Sequence, residues 1–78
     1  MTLTADYIDL LVSRCTRTAP WKIRGLFTDY ADASLASTVL ARGLLTRDYN
    51  AAAEVAIVSF GPHGYLKTDV KTAAVRTW

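Results

Sequence analysis

The chain has 78 residues, 51% of them hydrophobic and 21% charged, with nine Lys and Arg against seven Asp and Glu for a formal net charge of +2. That length makes one domain, 1–78, and a chain so short buries only about 60% of its extended surface on folding, so a homodimer is an expected source of further burial. No stretch reaches the roughly 18 apolar residues of a membrane helix; a lone Cys15 and a lone His63 exclude an internal disulfide and a metal set, and +2 falls short of the charge excess of a dedicated nucleic-acid binder.

The opening MTLTADYIDLL has no basic region before its apolar run and no small-residue cleavage site, so a cytoplasmic protein is expected. Thr4 is an N-cap candidate, and Ile8, Leu11, Val12 and Cys15 recur at helical spacing, which predicts a first helix from about Ala5 to Thr16. Its acidic pair, Asp6 and Asp9, precedes its basic pair, Arg14 and Arg17, the order a helix dipole favours.

Pro20 suits the first turn of a second helix, WKIRGLFTDY, with Trp21, Ile23, Leu26, Phe27 and Tyr30 as its apolar residues and Trp21 anchoring it in the core. Gly25 inside that helix costs about 1 kcal/mol relative to Ala. Asp32 or Ser34 then caps a third helix with Leu35, Val39, Leu40 and Leu44 on one face and Ser34, Ser37, Thr38, Ala41 and Arg42 on the other.

Gly43 is placed to end this helix, LLTR to leave as a short strand, DYNAAA to turn, and EVAIVSF to return as a mostly apolar strand of a hairpin. Gly61-Pro62 breaks the pattern and opens a last helix on Leu66, Val70, Ala73, Ala74 and Trp78.

From about Pro20 to Leu66 this order resembles a winged helix-turn-helix domain, and its second half is similar to the DNA-binding domain of MarR-type regulators. Arg42-Gly43-Leu44-Leu45 stands where such a recognition helix ends, and Ala56 to Gly64, AIVSFGPHG, where the second wing strand runs into the next helix. The resemblance implies a mainly α fold with a small β-wing: three helices, a β-hairpin and a C-terminal helix. The wing loop departs from the pattern, because its one charge is Asp48 where Arg or Lys is usual.

Carried over by position, the resemblance puts Ser34, Ser37, Thr38 and Arg42 on a DNA-reading face, with Lys22, Arg24 and Arg47 as phosphate contacts. The implied function is a small transcriptional regulator binding double-stranded DNA. The alternative is a winged-helix protein-interaction module, of the kind by which a phage product blocks a host machine, with the wing-loop Tyr49 as the protein contact. Tyr65 and Trp78 are expected to pack in the core or at a dimer contact.

No catalytic role, metal or cofactor is expected. The carboxylates are scattered, no Ser-His-Asp set assembles, and the glycines around Pro62 lack the other elements of a phosphate loop. Cys15, on the apolar face of the first helix, reads as a buried and unreactive thiol.

Overall fold

Alternation rather than helical spacing organises most of the chain. The computed structural model describes residues 7–72, in the order β1 (Ile8–Arg14), β2 (Lys22–Phe27), α1 (Tyr30–Thr46), β3 (Glu54–Gly61) and β4 (Gly64–Thr72). The strands form one antiparallel sheet ordered β2-β1-β3-β4. This overturns the expected winged helix-turn-helix: one helix stands where four were expected, and the segments assigned to the first, second and last helices are strands.

The reasons are local. In β1, Ile8, Leu10 and Val12 point to one side of the sheet and Asp9, Leu11 and Ser13 to the other, so apolar residues on both sides imitate helical spacing. In β2, Gly25 and the β-branched Ile23 disfavour a helix, and Gly25 is held where an added Cβ would lie 2.9 Å from Cε2 of Phe27. In β4, Tyr65, Thr68, Val70 and Thr72 suit a pleated strand, and Lys67, Asp69 and Lys71 alternate with the last three of them. Gly61-Pro62-His63-Gly64 is not a helix start but the turn of the β3–β4 hairpin, with Gly61 paired to Gly64. Pro62 supplies the fixed φ of the turn, and Gly64 takes φ +114°, a value that L side chains rarely adopt.

The expected third helix exists but is longer. Asp29, not Asp32 or Ser34, caps it by accepting a hydrogen bond from the Ala31 N–H at 2.9 Å. It continues through Gly43 and consumes the LLTR segment; the Arg47 N–H closes on the Gly43 carbonyl at 2.9 Å. Tyr49 then adopts a left-handed φ of 52°, and the Asn50 N–H bonds the Leu44 carbonyl.

β2 and β3 run parallel with β1 between them, so α1 is the crossover of a split β-α-β unit. It packs on one face of the sheet. Its buried stripe, Ala33, Ser37 and Ala41, is small at every step and lets the backbone approach Leu11, Val55 and Ile57 closely. Phe27, Ala36, Leu40 and Leu44 close the sides of that core.

Several side chains land elsewhere than expected. Cys15 is exposed in the loop after β1, not buried on a helix. Trp21 is 38% exposed, with the Arg14 guanidinium 4.0 Å from a ring centroid, rather than in the core. Tyr65 is 61% exposed on β4. Ala73, Ala74 and Trp78 lie outside the described residues.

Candidate functional site

Three surfaces stand out, and the first is polar. Asp9 and Ser59 are directly opposed on the two central strands, both buried, and the Ser59 hydroxyl donates to Asp9 Oδ1 at 2.7 Å. Nearby, the Tyr30 hydroxyl donates to Asp69 Oδ2 at 2.8 Å, and Lys67 sits 3.6 Å from the same oxygen and over the Tyr30 ring. The hydrogen bond to the Asp69 carboxylate, then burial, then the charges of Asp69 and Asp9 raise the Tyr30 pKa above its ordinary value. Asp9, Tyr30, Ser59 and Lys67 edge an open depression of 440 Å³. Asp69 holds the tyrosine proton and Lys67 partly balances that carboxylate, so the cluster is largely satisfied within itself. Among the described residues, no three His, Cys, Asp or Glu gather as a metal would require.

The second surface lies between α1 and the outer strand β2. Leu35 and Val39, one turn apart on the helix, are 67% and 64% exposed and border an open groove of 530 Å³ together with Arg24 and Asp32. Arg24 is the extra residue of a β-bulge, and its Nε donates to Ser13 Oγ at 2.7 Å.

The third surface is the sheet face turned away from α1. Residues directly opposed in register share a face, and this one is mostly apolar, with Thr68 and Thr72 of β4 among its members. Its centre is Leu10 opposite Val58 and Val12 opposite Ala56, and Val12 and Ala56 are themselves buried, so the exposed part of the face lies on its outer strands. Its outer strands add Ile23 and Leu26 on β2, 72% and 65% exposed, and Val70 and Tyr65 on β4. Phe60 meets Tyr65 edge to face, with ring centroids 6.1 Å apart. The two charged residues of this face at the end of the central strands, Arg14 and Glu54, are directly opposed and neutralise one another. None of the described elements packs against it.

The residues singled out in the sequence do not converge. Ser34 and Ser37 line a crevice beside Asp69 and Lys71 of β4, while Arg24 stands on the β2 side of the helix. Ser37 is buried against the sheet, and its hydroxyl donates to the Ser34 carbonyl at 2.7 Å; the Thr38 hydroxyl reaches the same carbonyl at 3.1 Å. Both hydroxyls are thus engaged by their own helix. Arg42 is exposed on α1, Arg47 follows its end, Lys22 is exposed at the start of β2, and Tyr49 is 87% exposed after the helix.

The open sheet face is the feature that helical reading hides. The alternation of Thr68, Val70 and Thr72 and the GPHG turn before it carry the signal that reveals it. No family model, no curated protein and no solved structure matches this chain.

Proposed function

We propose that the chain is a protein-interaction module whose working surface is the open face of the sheet. One observation carries this reading: the face turned away from α1 exposes Ile23 and Leu26 on β2 and Tyr65 and Val70 on β4, while the charges at its end, Arg14 and Glu54, pair with each other. Large apolar side chains left exposed on one face mark contact sites, because water-exposed hydrocarbon area gains free energy on burial. Tyr65, Phe60 and Trp21 at its rim are residue types enriched where binding energy concentrates.

A photo-crosslinking amino acid placed at Leu26 on the open face, and separately at Leu35 on the helix side, tests this in cells expressing the full chain. Protein adducts concentrated at Leu26 support the reading; none from the open-face position overturns it. Generic duplex DNA provides the counter-test by fluorescence anisotropy. Salt-sensitive binding that Arg42→Ala weakens favours a DNA ligand instead.

A further inference from the structure

Beyond the interaction reading and independent of it, we infer that the depression at the N-terminal end of α1 is a binding site for a primary alkylammonium group, anchored on the carboxylate of Asp9. Phe27, Asp9, Ser59 and Lys67 stand in register across the four strands, on the face that α1 covers. Asp9 is 5% exposed, and its one hydrogen-bond partner among the described residues is Ser59, at Oδ1. No buried side-chain oxygen of the described residues is left without a partner, so the unpartnered Oδ2 of Asp9 is an atom that the depression reaches.

An anion so enclosed is costly to leave without a counter-charge. Lys67 is the cation of the same row, but it is drawn away, with Nζ 3.6 Å from Asp69 Oδ2 and 5.2 Å from the centre of the Tyr30 ring. Asp69 in turn accepts the Tyr30 hydroxyl. That trio meets its own needs and leaves the charge of Asp9 to a group from outside.

The surroundings select the kind of cation. Asp29 adds a second carboxylate, so two carboxylates against the one ammonium of Lys67 leave the lining net negative. The rings of Tyr7 and Tyr30 and the aliphatic Leu66 complete the walls. Aromatic faces and a carboxylate attract an ammonium, and hydrocarbon walls take its alkyl stem. A single free oxygen suits the point charge of an ammonium better than the fork of a guanidinium, which engages two carboxylate oxygens at once. A divalent metal fits less well, because no three His, Cys, Asp or Glu gather among the described residues. A volume of 440 Å³ takes a short aliphatic amine.

NMR titration of the isotope-labelled full chain tests the site, with n-butylammonium chloride as the probe and n-butanol and sodium chloride as controls. Saturable amide shifts centred on Asp9, Tyr30 and Ser59 are expected, with a dissociation constant in the millimolar range usual for so small a ligand. Neither control should reproduce them. Asp9→Asn keeps an acceptor for the Ser59 hydroxyl but removes the charge, and should weaken binding about tenfold or more. Lys67→Met, at a side chain 60% exposed, removes the competing cation and should strengthen binding about threefold. If Asp9→Asn does not fold, the parent titration and Lys67→Met still decide. Shifts that do not saturate, that a control reproduces, or that persist at unchanged affinity in Asp9→Asn overturn the site, as does weaker binding by Lys67→Met. A free amine and a lysine side chain carry the same group, and Nα-acetyl-lysine N-methylamide separates these sources. Binding as tight as that of n-butylammonium admits a lysine of a protein partner, and no binding confines the site to free amines; either result supports the ammonium site.

Discussion

Arg14 and Glu54 face one another across the two central strands, with Nε and Nη2 of the arginine sharing Oε1 of the glutamate and the guanidinium lying over Trp21. The arrangement joins a cross-strand ion pair to a cation–π contact at one end of a mostly apolar face. Both side chains are largely shielded, at 20% and 13% exposure, so the pair is coupled more strongly than a surface salt bridge.

Glu54→Gln leaves a half-buried guanidinium without its counter-charge, and a loss of about 1–3 kcal/mol is expected in urea unfolding. Arg14→Met, which keeps an apolar stem against Trp21, should cost less in the Glu54→Gln background than alone. Additive losses in that double-mutant cycle would show that the two side chains do not act as a unit.

Tyr30 makes stability sensitive to high pH. Its pKa is raised by the hydrogen bond to Asp69, by burial and by the nearby carboxylate charges, so the folded state favours the protonated phenol. The contribution is present below the ordinary tyrosine value near 10 and is lost as pH rises through the higher folded value. Following tyrosinate absorbance, one tyrosine should titrate late in the parent. In Asp69→Asn it should return towards the ordinary range, because the amide still accepts the hydrogen bond but carries no charge.

How much of this was legible in the sequence depends on which period each segment allows. The EVAIVSF strand and the existence of the helix through Leu40 were readable, but not the helix's orientation: the expected apolar face led with Leu35 and Val39, which are exposed, whereas the structure buries the small residues Ala33, Ser37 and Ala41. The first segment was not readable, because a strand flanked by α1 on one side and an apolar open face on the other carries Leu10, Leu11 and Val12 in succession. β4 was readable in principle. Its Leu66, Val70 and Ala73 fit a helix, but Thr68, Val70 and Thr72 alternate as β-branched strand residues do, and Gly61-Pro62-His63-Gly64 is a hairpin turn as readily as a helix start. The site was less legible than the fold, since the open face exists only once β4 is placed beside β3. Asp9 with Ser59 are 50 positions apart, and their pairing has no local signature.

Tyr49, in the turn that follows α1, has φ 52°, a conformation that a bulky side chain adopts at a cost and glycine adopts freely. Its side chain is 87% exposed, so little packing offsets that cost. Tyr49→Gly should therefore be neutral or raise stability by up to about 1 kcal/mol, whereas Tyr49→Val should lower it. Thermal unfolding of the two variants checks the sign. Destabilisation by glycine would mean that the ring makes a contact this geometry does not require.

Ser59 and Asp9 form the polar step in the centre of the helix-covered face. Asp9 is only 5% exposed, and the Ser59 hydroxyl is its hydrogen-bond donor among the described residues. Ser59→Ala removes that donor while the carboxylate stays buried, so a loss of about 1–3 kcal/mol is expected, more than the alanine substitution of a solvated serine. Removing the carboxylate as well changes the balance, because the desolvation cost disappears with the group that bore it. Asp9→Val in the Ser59→Ala background should therefore recover part of the loss, and chemical denaturation of the two single variants and the double variant measures the recovery. If the double variant is instead as unstable as the sum of the singles, Asp9 draws its support from elsewhere in the fold, and the cross-strand hydrogen bond is incidental to it.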